Sequence, residues 1–493
     1  MDPHLYRWPL VGEFRNRTAE LDRLNQWWAS DQREPLAVLG RRRVGKSWLF
    51  RRFAHGKDAI VLVAEQLPAH AQLSRFSADL EPLTGVRPHL PDVAALFRVL
   101  YRTARDRKLL VVIDEFPWLL SPVAAEAFRE LTTIQAVMED ERDHSRIKLV
   151  LCGSQVGQME SLFGEKNPMH GRLQRVPVRP LGFAESAPFL TGLTPIAAFE
   201  RYAVSGGMPM YLTKLSQDAL RDAVCRNVLD RDAPLWNEGR VIVDQELREP
   251  RVYFALLERL ATGAKALNEM AQPLDMSSGA VAKYLSTLVD LRLVSKKEPF
   301  GAEPGSRSGR WQLDDAFLRF WFRFVFPFQA DLEAGLPPGT LFDDEVAPAL
   351  ADHVAPVFES WVLGWLRANR ADLATRWGTW WGNAANEFRR TKERSTEEID
   401  AVGSQRGRIT VVAEAKWTNS PLTAAIVDDL ERYKIPALRQ SGLKVIAHPR
   451  IVLLSKAGYA KSLVALASEN DRIELVDVGE ALRAPETHEV DAG

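Results

Sequence analysis

The chain has 493 residues and a formal net charge of -1, with 46% apolar and 26% charged residues. This length exceeds what one hydrophobic core organises, so we expect several domains. The balanced charge excludes an overall basic surface for nucleic acid, and any such surface must be local. Two cysteines, Cys152 and Cys225, exclude a disulfide framework and favour a reducing, cytoplasmic location.

Neither the N-terminus nor the most apolar stretch predicts membrane association. The first residues, MDPHLYRWPLVGEF, lack the basic region and continuous apolar core of a signal peptide. The stretch Phe317–Phe328 is too short to cross a bilayer and contains Arg319 and Arg323. We expect it to pack in a core rather than to stack on nucleic-acid bases.

The segment PLAVLGRRRVGKS matches the phosphate-loop pattern G-x-x-x-x-G-K-[ST] and lies between a strand-like and a helix-like segment. Glycines let backbone N–H groups turn inward toward phosphate oxygens, and the helix start adds its positive end. Lys46 would reach the β and γ phosphates, and Ser47 would bind Mg²⁺. The predicted ATP-binding positions are Gly40, Arg41, Arg42, Arg43, Val44, Gly45, Lys46, Ser47 and Trp48. We expect the three arginine side chains to face solvent or a neighbouring domain.

Two further strands end in polar residues. The apolar strand 108–113 leads into Asp114 and Glu115, where one acid would hold Mg²⁺ and the other would polarise the attacking water. The apolar strand 147–152 leads to Ser154 and Gln155. One of these would sense the γ-phosphate, and the alternative is a hydroxyl that caps the next helix.

Arg172 follows a glycine just before another strand, at 175–178. A guanidinium there could stabilise the phosphoryl group held by a neighbouring subunit of a homo-oligomer. The alternative is an ordinary surface arginine.

Residues 12 to about 215 resemble the archaeal-type ATPases, an AAA-like branch of the P-loop proteins. The motifs that carry this resemblance are GRRRVGKS, VVIDEFPWL, LVLCGSQ, HGRLQRVPVRPLGFAE and YAVSGGMPMYL. The resemblance implies an α/β core with the Asp114 strand beside the Ser154 strand, and it implies that Glu115 activates water. It also implies a helical lid. We assign residues 1–190 to the core and 191–249 to the lid.

Residues 250–328 predict a winged helix-turn-helix, with three short helices followed by a two-stranded wing. Its third helix would present Ser278, Lys283 and Tyr284. Cations in the wing could contact DNA phosphates, and the alternative is a module that only packs. These cations are Lys296, Lys297, Arg307 and Arg310.

Loop-like composition predicts a linker over residues 329–350. Beyond it, a predicted helix contains Glu359. The pattern that follows predicts a hairpin, with Asp400 in one strand and the sequence ITVVAEAKW in the next. Because side chains alternate along a strand, Glu414 and Lys416 share a face.

This constellation resembles the PD-(D/E)xK nucleases, and the last ~140 residues resemble the domain of unknown function that accompanies archaeal-type ATPases. The resemblance implies a restriction-endonuclease-like α/β domain over 351–485, before a polar tail at 486–493. It implies that Glu359, Asp400 and Glu414 bind Mg²⁺ or Mn²⁺ and that Lys416 orients or activates water. Ile399 replaces the proline of the family pattern. Cations that could hold a phosphate backbone are Arg389, Arg390, Lys392, Arg394, Arg406 and Arg408.

Two functions are compatible with these patterns. In the first, ATP hydrolysis controls nucleic-acid binding, with DNA as the expected partner, and metal-dependent cleavage by the C-terminal domain. In the second, the chain is a regulatory ATPase switch whose C-terminal domain is an inactive platform for a protein partner. Both require Lys46 and Asp114, and they differ at Glu414 and Lys416.

Overall fold

The computed structural model describes residues 14–483, except 155, 166, 217, 248, 249, 304 and 307. Gln155, Arg307 and the predicted tail at 486–493 therefore lie outside the described residues. Contacts divide the chain into two compact units. The first contains residues 14–181 with Met208–Met210, and the second contains residues 182–207 and 211–483.

A parallel five-stranded sheet forms the centre of the first unit. Its strands are β1 (Leu36–Leu39), β2 (Ala59–Val63), β3 (Leu109–Asp114), β4 (Ile147–Gly153) and β5 (Gln174–Pro177), in the order β2-β3-β4-β1-β5. Its helices are α1 (Thr18–Ala29), α2 (Lys46–Ala54), α3 (Ala69–Thr84), α4 (Val93–Thr103), α5 (Ala124–Glu141) and α6 (Val156–Leu162). Runs of Val, Leu and Ile in the central strands are buried, as in a parallel sheet covered on both faces. The predicted parallel sheet is confirmed.

The second unit begins with helices in the region predicted as a lid. They are α7 (Phe183–Ser186), α8 (Pro195–Ser205), α9 (Pro209–Leu215), α10 (Leu220–Val224) and α11 (Glu238–Glu246), with a π-helical turn at Cys225–Leu229. The first two residues of α9 belong to the first unit. Gly206 ends α8 at φ 65°, in the left-handed region that favours glycine. A Cβ there would also lie 3.3 Å from the backbone nitrogen of Phe317.

Three helices and a small antiparallel sheet follow. They are α12 (Pro250–Ala261), β6 (Lys265–Ala266), α13 (Leu267–Ala271), α14 (Ser278–Asp290), β7 (Val294–Lys297) and β8 (Arg310–Leu313), with strand order β6-β8-β7. Ser277 caps α14 by accepting a hydrogen bond from the Ala280 amide at 3.2 Å. The hairpin lies where the wing was predicted, and β6 adds a third strand.

The prediction of a linker at 329–350 is wrong, because this region is helical. After α15 (Ala316–Phe324), which is almost entirely buried, come α16 (Gln329–Glu333), α17 (Pro338–Leu341), a π-helical turn (Phe342–Val346) and α18 (Ala347–Asn369). The prolines of this region predict a loop, but Pro338 occupies the first turn of a helix, where the missing backbone N–H of proline costs nothing. Arg221 also holds this region through Asp343 at 2.7 Å.

The last part of the second unit is built on a mixed sheet. Its strands are β9 (Arg376–Asn383), β10 (Thr396–Gln405), β11 (Arg408–Lys416), β12 (Val445–Ser455) and β13 (Ile473–Asp477). Strands β9, β10 and β11 pair antiparallel, whereas β12 and β13 extend the sheet in parallel beside β11. Its helices are α19 (Asn386–Arg390), α20 (Ala425–Asp429), α21 (Ile435–Gln440), α22 (Lys461–Glu469) and α23 (Val478–Ala481). No helix within the described ranges is long and apolar enough to cross a membrane.

Candidate functional site

The predicted phosphate loop connects β1 to α2. Gly45 adopts φ 98° and precedes the first turn of α2, which begins at the buried Lys46. The Lys46 ammonium donates hydrogen bonds to the carbonyl oxygens of Gly40 and Arg41, the latter at 3.1 Å. A Cβ at Gly40 would lie 2.7 Å from the carbonyl oxygen of Val178. The loop backbone is therefore wrapped around the lysine and packed against the end of β5.

The remaining loop side chains point in different directions. Val44 is fully buried, whereas Arg42 is exposed and Trp48 is 50% exposed. Arg43 has φ 68°, and its Nη1 atom lies 3.3 Å from the sulfur of Met210. Thus Arg43 faces the Met208–Met210 segment.

The predicted acids and the predicted sensor meet at the carboxyl edge of the sheet, because β1, β3 and β4 are parallel neighbours. Ser47 Oγ donates to Asp114 Oδ2 at 3.3 Å. Both the backbone N–H and the hydroxyl of Ser154 donate to Glu115 Oε2, at 3.0 and 2.8 Å. Glu115 has φ 54°, an unusual conformation for a non-glycine residue. Burial, with Asp114 nearby, raises the pKa of the Cys152 thiol and keeps it neutral.

Arg172 lies at the opposite edge of the sheet. It lies two residues before the start of β5. The first residue of β5 pairs with Leu36 at the start of β1, whereas the phosphate loop follows the end of β1. Arg172 forms a half-exposed ion pair with Glu139 at 2.6 Å. It therefore does not approach the loop of its own chain, and a role across subunits stays a prediction.

The second predicted constellation is a compact cluster on β10 and β11. The Lys416 ammonium lies 2.7 Å from Asp400 Oδ2 and 2.5 Å from Glu414 Oε2. Asp400 Oδ2 also accepts the backbone N–H of Ala415 at 2.8 Å. Burial alone would lower the pKa of Lys416, but the two carboxylates outweigh it and raise that pKa. Lys416 is therefore an ammonium at neutral pH, which can orient a water but cannot take its proton.

A residue that sequence reasoning missed completes the cluster. Lys434, in the π-helical turn Leu430–Lys434, lies 2.6 Å from Glu414 Oε1 and 3.8 Å from Asp429. Burial, followed by the charge of Asp400, raises the pKa of Glu414 to about 7, although the charges of Lys416 and Lys434 act to lower it. The sequence offers only one signal for this contact, a lysine at the end of an amphipathic segment. Such lysines are common on protein surfaces.

Glu359 on α18 faces the same acids. Burial, followed by the charge of Asp400, raises the pKa of Glu359 to about 8, so its carboxyl is protonated at neutral pH. Across the described residues, no three His, Cys, Asp or Glu side chains are grouped to hold a metal ion. The predicted ligands Glu359, Asp400 and Glu414 are neighbours, but Lys416 lies between the last two.

The predicted DNA-binding wing packs within the second unit. Phe300, in the turn between β7 and β8, donates its backbone N–H to the Thr379 carbonyl at 2.8 Å. Arg310 pairs with Glu398 at 2.7 Å and lies 4.9 Å from the centroid of the Trp381 ring. Lys296 likewise pairs with Glu298, at 3.2 Å. Two of the predicted wing cations are therefore engaged with acids of this chain.

The helix side of this module differs from the wing. Ser278 and Lys283 on α14 are exposed, whereas Tyr284 is partly buried and packs edge-on against Tyr253 at 5.1 Å between ring centroids. Only the first two remain available to a partner.

Residues 14–215 match the family described as "ATPase domain predominantly from Archaea". This part of the chain is therefore similar to archaeal ATPase domains. Residues 321–429 match a second family, described as "Archaea bacterial proteins of unknown function". The Asp400, Glu414 and Lys416 cluster lies in this second region.

The chain also resembles proteins of known sequence or structure. It is 25% identical to an uncharacterized protein of Methanocaldococcus jannaschii over 413 residues, which cover 82% of this chain and 87% of that protein. A Walker-type ATPase of Pyrococcus abyssi is similar with a TM-score of 0.47 and 17% identity, over 65% of this chain and 99% of that one. A signal-transduction ATPase with a tetratricopeptide repeat sensor, from Pyrococcus horikoshii, has a TM-score of 0.30 and 13% identity, over 73% and 52% of the two chains. Both TM-scores lie below 0.5, so neither likeness bears on function.

The ATPase domain has the groups that ATP and Mg²⁺ require. Mg²⁺ in such sites takes one or two protein oxygens together with phosphates and waters. The hydroxyl of Ser47 and the carboxylate of Asp114, already in contact, would supply those oxygens. Lys46 would supply a positive charge beneath the loop, and Glu115, which accepts a hydrogen bond from Ser154, would be the carboxylate that accepts a proton from water.

The donor chemistry of the C-terminal cluster also suits a hard cation. Glu414 is fully buried, and its Oε2 atom makes no hydrogen bond despite its closeness to the Lys416 ammonium. Asp400 offers a second carboxylate in reach of the same lysine. Two carboxylates suffice for Mg²⁺ with waters, provided that the ammonium of Lys416 moves from between them.

Proposed function

We propose that this protein hydrolyses ATP to control the binding of nucleic acid, with DNA as the expected class, and that its C-terminal cluster cleaves phosphodiester bonds with Mg²⁺ or Mn²⁺. The observation that carries the cleavage proposal is the meeting of Asp400, Glu414 and Lys416 at one buried point of the β10–β11 pair. The ATP-dependent part rests on the archaeal ATPase family match and on the contacts of Ser47, Asp114 and Glu115.

Each group has a defined role in the proposed cleavage. A bound divalent cation would stabilise charge on the phosphate and lower the pKa of a water molecule. Asp400 and Glu414 would hold it, and Glu359 would add an oxygen once it loses its proton. Lys416, kept charged by its neighbours, would orient the water or stabilise the phosphate.

A second function is favoured by Lys434. Its ammonium and that of Lys416 each lie close to one carboxylate oxygen of Glu414, so two positive charges face this carboxylate without any metal. A cluster whose charge is balanced in this way can serve as a structural element of an inactive platform. In this alternative the ATPase domain is a regulatory switch, and a protein partner contacts the second unit.

Cleavage of labelled DNA separates the two functions. We expect the parent chain to cut single- or double-stranded DNA with Mg²⁺ or Mn²⁺, and Glu414→Gln to lose cutting while keeping ATP hydrolysis. Asp429→Asn, which alters a carboxylate 3.8 Å from Lys434, is the matched control and should keep both activities. Absence of cleavage of DNA and RNA by the parent, with and without ATP, would favour the switch.

A further inference from the structure

The second unit contains a cleft that the proposed function does not use. It has a volume of about 500 Å³ and is bordered by α7, α8, the β7–β8 hairpin, α15 and α18. Sites for small ligands commonly measure roughly 300–1,000 Å³ and combine apolar walls with a few polar groups. The dimensions therefore suit one ligand of moderate size.

Positive charge dominates the walls of this cleft. Lys297, Arg319 and Arg367 line it, against one carboxylate, Asp314. Lys297 and Arg367 are exposed at its rim. Because the cations outnumber the acid, an anionic group is favoured there.

Arg319 lies deep in the cleft wall and is only 4% exposed. One end of its guanidinium donates to the carbonyl oxygen of His353 at 2.6 Å, and its Nε makes no hydrogen bond with any described residue. Burial, followed by the charge of Arg323, lowers the pKa of Arg319 to about 10. A buried cation of this kind is stabilised by an anion nearby.

Aromatic rings form another wall. Tyr202, Phe183 and Trp361 all line the cleft, and Phe183 lies between the other two at centroid distances of 5.5 and 6.4 Å. Flat rings beside cations suit a ligand that carries both an aromatic base and a phosphate.

Gly364 keeps the cleft open along α18. It lies in the helix interior, where glycine is unfavourable, and a Cβ there would meet no atom within 4 Å. The neighbouring cleft residues Trp361 and Ala368 follow the spacing of one helix face. A side chain at position 364 would therefore enter the cleft rather than the core.

We propose that this cleft binds a nucleoside phosphate, with the phosphate on Lys297, Arg319 and Arg367 and the base against Tyr202 and Trp361. The same chemistry is presented by a free nucleotide and by one nucleotide of a single strand. The inference concerns binding only, so it holds or fails separately from the proposed cleavage.

Calorimetric titration of the full chain tests the proposal, with thymidine 5′-monophosphate, thymidine and oligothymidylate as probes. A Lys46→Ala background removes the phosphate loop as a competing site. We expect the monophosphate to bind in this background and thymidine to bind at least about tenfold more weakly, the effect of losing one charged hydrogen bond. If oligothymidylate binds much more tightly than the monophosphate, the ligand is a nucleotide within a single strand. If the two bind with equal affinity, the ligand is a free nucleotide.

Gly364→Phe is the decisive variant because it fills the cleft without a clash at its Cβ. It should reduce monophosphate affinity by at least about tenfold, whereas Gly364→Ala should retain it, and neither should lower the thermal midpoint. Lys297→Ala should weaken binding and reduce its salt dependence. Should Gly364→Phe lower the midpoint, Ser360→Trp blocks the same cleft from an exposed position. The proposal is overturned if a blocking variant that remains folded binds the monophosphate with undiminished affinity. It is also overturned if the parent binds neither thymidine 5′-monophosphate nor oligothymidylate.

Discussion

Replacement of Ser154 by alanine separates two roles for a polar residue at the end of β4. A residue that reads the γ-phosphate should affect nucleotide binding, whereas a residue that positions Glu115 should affect turnover. The structure places the Ser154 hydroxyl 2.8 Å from Glu115 Oε2, and the backbone N–H of Ser154 contacts the same oxygen at 3.0 Å. Ser154→Ala removes the first bond and leaves the second.

The size of the effect follows from the bond that is lost. A hydrogen bond to a charged group contributes about 1.5–3 kcal/mol when buried. Both side chains here are partly exposed and the backbone bond remains, so we take the lower end. At ~1.4 kcal/mol per factor of ten, Ser154→Ala should lower kcat by about tenfold.

Steady-state ATP hydrolysis measures this effect. We expect kcat to fall while KM for ATP stays within about twofold, the pattern of an interaction that acts in the transition state. Ser154→Thr keeps a hydroxyl and serves as the matched control, with activity near that of the parent. A rise in KM with unchanged kcat would refute the positioning role and assign Ser154 to nucleotide binding.

Four further outcomes are expected. If Arg172 acts across subunits, ATPase activity per mole rises with protein concentration in the parent but stays flat in Arg172→Ala. Gly40→Ala lowers the thermal midpoint of the ATPase unit, since the new methyl group would lie 2.7 Å from the Val178 carbonyl. The pKa of Glu359 is raised from 4.5 to about 8, so its contribution to stability is present at low pH and is lost as pH rises through 8. Because glutamine cannot ionise, the thermal midpoint of Glu359→Gln should be higher than that of the parent at pH 9. This difference should shrink toward pH 5. Arg310→Ala should strengthen DNA binding in a fluorescence-anisotropy titration if the packed wing competes with DNA, and weaker binding would show that Arg310 itself contacts phosphate.

The residues of the candidate nucleotide site could be predicted to lie together because they belong to local motifs. Gly45, Lys46 and Ser47 sit on one loop, and each acid directly follows an apolar strand whose end the pattern predicts within one residue. Parallel pairing of these strands then brings Asp114 and Ser154 to one edge. Local pattern and parallel topology together were sufficient there.

The second unit shows where such reasoning ends. Lys434 reaches Glu414 only because a π-helical turn returns beside β11, and no local spacing predicts that return. Strands β12 and β13, which extend the sheet in parallel, were not predicted either. The helical stretch at 329–350 was read as a linker because proline marks both loops and the first turn of helices. Tertiary contacts, such as that of Arg221 with Asp343, decide between the two.

The packing of the wing changes which surface of the second unit can meet nucleic acid. A cation that is already paired with a carboxylate must lose that pair before it can neutralise a phosphate, which reduces its net contribution. Arg310 and Lys296 are paired in this way, whereas Lys297 in the wing and Lys283 on α14 are exposed. Contact of this module with DNA would therefore begin at Lys283 and Lys297 rather than at the paired wing cations. The wing contacts the strands that carry Trp381 and Glu398, so a partner bound at α14 would occupy the module that packs against the sheet holding Asp400.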